Sequence, residues 1–270
     1  MAAEFGRRFG ADGRAKVLAG DVVDGSGAVL DASTVLPAGA LVYLYRDLPD
    51  EVEVPFDVPV LYRDDNILVV DKPHFLATMP RGGHVAQTAL VRLRRELDLP
   101  QLSPAHRLDR LTAGVLLFTV RREVRGAYQS LFARGEVAKT YLARSSSGPG
   151  LAAPQTVSNR IVKRRGSLQA TVEPGEPNAE TLIEPLGRGF YRLTPRTGRT
   201  HQLRLHMAGL GLPIDNDPLY PAVEKPDPQD FMRPLQLVAQ RLEFRDPLSG
   251  QLLRWQSRHR LQPVPLCPGR

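Results

Sequence analysis

His106-Arg107-Leu108-Asp109-Arg110-Leu111-Thr112-Ala113-Gly114 sets a carboxylate between two arginines and runs into a mostly apolar stretch that ends at Val120. An apolar run without alternation over Leu111 to Val120 predicts a strand covered on both faces, which needs packed layers on either side of a sheet. The neighbouring segments can supply them. Val60 to Arg63 and Ile67 to Lys72 read as two strands around the turn Asp64-Asp65-Asn66, ended by Pro73. Thr88 to Leu97 has apolar residues at 89, 90, 93 and 97 with charges between them, an amphipathic helix that Thr88 can cap. Arg122 to Arg134 reads as a second helix stopped by Gly135, and Val137 to Arg144 as a further strand.

Beyond that, Gly150 to Gly175 is mixed and turn-rich, with the cluster Lys163-Arg164-Arg165 and no clear element. Glu180 to Pro195 has the look of a hairpin turning at Gly187-Arg188-Gly189. Thr200 is expected to cap a helix reaching about Ala208, ended by Gly209 and Gly211, and Leu235 to Phe244 and Gln251 to Trp255 read as the last strands. The N-terminal stretch Lys16 to Arg46 alternates short apolar runs with turn signals and reads as a few short strands. Asp47 to Pro59, with three prolines and five acidic residues, reads as an exposed linker. The expected division is therefore a small N-terminal region, 1–57, and a main domain, 58–270.

Composition limits what such a domain can do. In the 270 residues, 42% hydrophobic, no apolar run approaches the roughly 18 residues that cross a membrane. Met1 to Arg14 has no continuous apolar segment of the secretory kind, so a cytoplasmic location is expected. Cys267 is the single cysteine, which excludes an internal disulfide and a multi-thiolate zinc site. The net charge of +7 is uneven. Residues 14–57 carry −5, residues 1–13 balance at zero, and 58–270 carry +12, which assigns any polyanion-binding surface to the larger part.

Two segments carry chemistry. Cations around Asp109 favour the ionised carboxylate that covalent catalysis needs. A structural ion pair at the start of a strand is the readier reading of the local pattern alone. The second segment, Arg196-Thr197-Gly198-Arg199-Thr200-His201-Gln202-Leu203-Arg204-Leu205-His206-Met207, crowds polar groups at a helix start. At about 100° per residue His201 and Arg204 share one face, and Leu203, Met207 and Leu210 another, so one face can pack while the other meets a ligand. His201 and His206 lie about 140° apart round the helix and cannot hold a metal as an i, i+4 pair does.

Together the two segments resemble the signature of the RluA-like pseudouridine synthases. The resemblance covers roughly residues 58 to 255, through Leu61-Tyr62-Arg63-Asp64-Asp65, Asp71-Lys72-Pro73, the Asp109 segment, Lys139-Thr140-Tyr141, Gly198 to Arg204, and Pro213-Ile214-Asp215-Asn216-Asp217-Pro218-Leu219-Tyr220. It implies an α+β fold with mixed or antiparallel sheets flanked by helices and a central basic cleft. It also implies conversion of uridine in RNA to pseudouridine without cofactor or metal, by a chain that is a monomer. By the same resemblance Asp109 is the nucleophile, Tyr141 stacks on the uracil and handles a proton, and Arg204 pairs with Asp109. Arg107 fills the space left by the flipped base, while His106, Arg110, Arg199 and His201 support the pocket or the RNA backbone. The partner that the resemblance implies is a large-subunit ribosomal RNA or a transfer RNA.

Three departures stand out. Asn216-Asp217 replaces a Gly-Asp pair, so that turn is expected to have an altered backbone. Val238 stands where a histidine is usual. Residues 16 to 46 resemble only the later, strand-forming half of a small RNA-binding domain, so this region is expected to be a remnant with weak RNA affinity. Two other classes compete. An RNA-binding or RNA-chaperone protein with a dead site predicts binding without product, which the intact Asp109, Tyr141 and Arg204 argue against. A glycosidase wants two cooperating carboxylates, where the second segment offers arginines and histidines.

Overall fold

The computed structural model describes residues 13–44, 51–148 and 150–262. Cys267 lies outside them, as do residues 1–12 and the expected linker's first part, 47–50. Two compact units divide between Asp50 and Glu51.

The first unit has a helical turn at 13–18, where strands alone were expected, and two short strands, β1 (Val22–Val23) and β2 (Tyr43–Leu44), paired antiparallel. Val17, Val22 and Leu30 form its small core. Asp24 and Asp31 fold their own turns by accepting bonds from Ser26, Ala28, Ser33 and Thr34.

The second unit holds one large sheet. Its strands are β3 (Val60–Arg63), β4 (Ile67–Lys72), β5 (Ser103–Pro104), β6 (Ala113–Thr119), β7 (Ala138–Arg144), β8 (Gln155–Val162), β9 (Thr171–Glu173), β10 (Ala179–Gly187), β11 (Phe190–Pro195), β12 (Leu237–Arg245) and β13 (Leu252–Gln256). The order is β3-β4-β6-β12-β7-β11-β10-β8-β9, with β5 beside β6 and β13 beside β12. β8 and β9 fall where no element was legible.

Every residue of β4 and β6 is buried, as the unbroken apolar runs require, and alternate residues serve opposite faces. Leu68, Val70, Leu116 and Phe118 pack on helix α1 (Ala89–Glu96), whose N-cap Thr88 accepts from Val91 N as expected. Ile67, Val69, Val115 and Leu117 pack on helix α2 (Arg125–Ala133) through Tyr128 and Leu131. Helix α3 (Gln202–Gly209) lays Leu203 and Met207 on Ala143, Ile183, Tyr191 and Leu193 of the other half-sheet.

The expected linker continues differently beyond Asp50. Val54 and Val58 are buried in the α1 core, Phe56 packs against Phe75 and Phe231, and the Glu51 carboxylate accepts from the backbone N–H groups of Val85, Ala86 and Gln87. These residues are part of the framework because Val54 and Val58 face the core while Glu53 and Asp57 stay exposed.

The two half-sheets meet where β6 runs parallel to β12, over only Ala113↔Val238 and Gly114↔Ala239. Gly114 has φ +119, and a Cβ there would lie 2.3 Å from Ala239 O, so no side chain fits the seam. Val238, the residue that replaces the usual histidine, is fully buried against this seam and keeps the strand pairing.

Candidate active site

Asp109 sits on the loop that enters β6 at this seam, and the loop is tied down residue by residue. The Thr78 hydroxyl donates to Leu108 O at 2.8 Å and accepts from Leu108 N at 3.1 Å. Asp109 O accepts from Thr112 N at 3.0 Å, Arg110 O from Lys72 Nζ at 3.3 Å, and Leu111 O from His74 Nδ1 at 2.7 Å.

The facing wall is the turn into α3. His201, rather than Thr200, occupies the N-cap, in the left-handed region at φ 59 and with no side-chain cap bond. Gln202 replaces that cap by using its whole amide. Its Oε1 accepts from Thr197 Oγ1 at 2.7 Å and Arg199 N at 3.0 Å, and its Nε2 donates to Glu180 O and Thr181 Oγ1, both at 2.9 Å. A buried amide with every group bonded locks the turn to β10.

Between these walls lies a cleft lined by Arg107, Asp109, Lys139, Tyr141, His201 and Arg204, among others. Arg204 Nη1 is 3.7 Å from Asp109 Oδ2, and His201 Nε2 is 3.9 Å from the same oxygen. The principal partner of Arg204 is Asp217, a bidentate pair at 2.7 Å (Nε to Oδ2) and 2.6 Å (Nη2 to Oδ1), with the Asp217 side chain fully enclosed. Asp217 Oδ1 also accepts from Leu219 N and Tyr220 N. The Tyr220 ring lies under the guanidinium at 5.3 Å. The turn that presents Asp217 keeps the backbone a glycine would take, because Asn216 adopts φ 61, where asparagine is tolerated, and donates to Pro234 O.

Burial and then the nearby Asp109 charge push the Tyr141 hydroxyl well up, so it keeps its proton. Burial lowers Lys72 to about 7, with Asp109 pulling it up and Arg110 pushing it further down. Lys163 and Arg81 feel each other's charge, and Lys163 also feels Asp109, so the basic cluster after β8 lies within the field of the cleft. The fold thus brings Asp109, Arg107, Tyr141, Arg199, His201 and Arg204 to one cleft.

Two of the residues expected to support the pocket or the RNA backbone, His106 and Arg110, are not among those lining it. His106 lies flat on Phe132, ring centroids 4.3 Å apart, and its Nε2 accepts from Leu117 N. Arg110 is turned toward Phe75 O at 3.4 Å. Lys72, Thr78, Gln202, Asp217 and Tyr220 are the site's unforeseen supports. Lys72 could have been suspected as a charge ending a wholly buried strand, and Asp217 as the carboxylate available to a helix arginine.

Three histidines are held neutral by the fold: burial takes His74 and His206 to about 4 and His106 to about 3, from an ordinary 6.5. Each is depressed, so the unfolded chain takes up protons first as pH falls. Stability is full above about 6.5 and is lost progressively between 6.5 and about 4, with a slope of up to three protons. Urea titrations from pH 7 to 4.5 should show this decline, and a flat profile over that range would contradict it.

A family model described as RNA pseudouridylate synthase matches residues 66–209. The chain belongs to that family. It is an RNA pseudouridine synthase and hence an isomerase. It is 33% identical over 198 residues to the dual-specificity RNA pseudouridine synthase RluA of Salmonella typhi, covering 71% of this chain and 88% of that one. It is 28% identical over 267 residues to the ribosomal large subunit pseudouridine synthase D of Pseudomonas aeruginosa, covering 89% and 82%. Against several further relatives the matched region spans less than half of their length. The structure of human RNA pseudouridylate synthase domain containing 1 shares the fold, with a TM-score of 0.60, 24% identity, and 78% and 86% of the two chains covered. Among the described residues no helix is long and apolar enough to cross a membrane.

Proposed function

We propose that this pseudouridine synthase acts on a structured ribosomal or transfer RNA in the cytoplasm, as a monomer without metal or cofactor, with Asp109 as its nucleophile. The observation that carries this reading is that Asp109 is the only acidic side chain among the described residues lining the cleft. A two-carboxylate mechanism has no second group there, while one carboxylate suffices to open the glycosidic bond and hold the sugar as the uracil turns. Tyr141 would stack on the uracil, and its raised hydroxyl fits a group that gives a proton only within the pocket. Arg204, anchored by Asp217, keeps its charge aimed at Asp109 without collapsing onto it. Arg107 is exposed at the cleft edge and would occupy the stack left by the flipped nucleotide. Arg199 would contact backbone phosphate. The small N-terminal unit would contribute little RNA affinity, and the unit that begins at Glu51 would carry the catalytic domain.

Rejoining the base through carbon 5 expels the hydrogen there. Structured cellular RNA labelled with tritium at carbon 5 of uridine should release label when incubated with the protein. Binding without release from any such RNA would favour the inactive RNA-binding alternative.

A further inference from the structure

The hydroxyl of Tyr220, buried beside the cleft, meets three groups at once. It accepts from Ala170 N at 2.7 Å, donates to Ala170 O at 3.1 Å, and lies 3.0 Å from His201 Nδ1. A phenol has one proton to give. If that proton stays on Ala170 O, His201 must donate from Nδ1 and its Nε2 bears a lone pair. If it turns to Nδ1, a buried carbonyl loses its donor, since Ala170 is 1% exposed. The opposing pull is weaker: Nε2 stands 3.9 Å from Asp109 Oδ2, beyond hydrogen-bond reach, so a proton on Nε2 gains only a loose contact with a part-exposed carboxylate.

We propose that Tyr220, anchored by Ala170, fixes the proton of His201 on Nδ1, so that His201 is an uncharged positioning residue presenting a bare Nε2 to Asp109 and becomes a competing cation only in acid. The groups facing His201 come from four elements: Asp109 before β6, Arg204 on its own helix, Lys163 after β8, and Asp217 and Tyr220 after α3. Burial, Arg204 and Lys163 resist a second proton, Asp109 and Asp217 invite it, and the net direction is downward from 6.5. At neutral pH Arg204 is then the cation nearest the Asp109 carboxylate, and acid adds a second that draws Oδ2 into an ion pair. That consequence for rate rests on Asp109 being the nucleophile; the proton assignment does not.

The assignment is read directly by long-range proton–nitrogen NMR on the full chain labelled with nitrogen-15 in histidine, with His201→Gln identifying the signal. Wild type at pH 7 should give the neutral Nδ1–H form, and Tyr220→Phe should move it toward Nε2–H. An Nε2–H form in wild type, or an unchanged form in Tyr220→Phe, overturns the proposal. The pH profile of kcat/KM supplies a second readout. The acid limb should contain one His201 deprotonation, lost in His201→Gln and moved to lower pH in Tyr220→Phe, where the next proton must enter at Nδ1 with its acceptor gone. A merely structural role would lower activity by the same factor at every pH, and that result would also overturn it. The NMR readout needs no RNA, so its failure is distinct from failure of the isomerase reading.

Discussion

Asp109→Asn should abolish tritium release from uridine-labelled RNA, by roughly four orders of magnitude or more, as loss of a covalent nucleophile does. RNA affinity and the urea midpoint should stay near those of the unaltered chain. The asymmetry follows from the geometry. The closest basic side chains, with Arg204 Nη1 at 3.7 Å and His201 Nε2 at 3.9 Å, stand too far from Asp109 Oδ2 for hydrogen bonds, so the fold does not lean on that oxygen. Arg204 keeps its bidentate partner when the Asp109 charge is removed. The loop itself is held through backbone groups, which an isosteric amide leaves alone. A variant that retains activity within tenfold would remove Asp109 from the chemistry, and one that unfolds would make it the structural ion pair that its local sequence suggested.

Asp217→Ala should be the most damaging single change to stability, at about 3–5 kcal/mol, the range for stripping one partner from a buried ion pair. Four donors lose their acceptor together: Arg204 Nε and Nη2, and the backbone N–H groups of Leu219 and Tyr220. The Arg204 side chain is only 3% exposed and cannot recover water in place. Activity should fall as well, because the freed guanidinium is drawn onto Asp109 and because Tyr220 loses its backbone anchor. Asp217→Asn keeps the shape and some acceptor capacity and should cost less. Chemical denaturation of both variants measures the order, and a loss below about 1 kcal/mol for the alanine variant would mean that Arg204 finds another partner.

The sheet and helices were legible where burial alone decides pattern: β4 and β6 as unbroken apolar runs, α1 from its spacing and Thr88. β8 and β9 were not, because β8 exposes much of its length and gives no hydrophobic period. The α3 start misled for a related reason. Thr200 has the right chemistry for a cap, yet Gln202 satisfies the turn from inside the helix, an arrangement set by the distant Glu180 and Thr181. At the site, the family resemblance rather than local pattern pointed to Asp109, Tyr141 and Arg204, which the fold brings to one cleft. The partition of Arg204 between Asp109 and Asp217 depends on a turn thirteen residues downstream and is visible only in three dimensions.

The ties on the 107–112 loop also bear on substrate affinity. Segments that become ordered only on binding draw their lost conformational freedom from the binding energy, about 1–2 kcal/mol for each backbone residue fixed. Here Thr78, Lys72, His74 and Thr112 have already fixed Leu108 through Leu111 during folding. An RNA reaching the cleft would therefore meet an Asp109 loop whose motional freedom was surrendered beforehand. The energy of its contacts with the basic cleft would then be left for the costly event on the other side, turning a nucleotide out of its own helix.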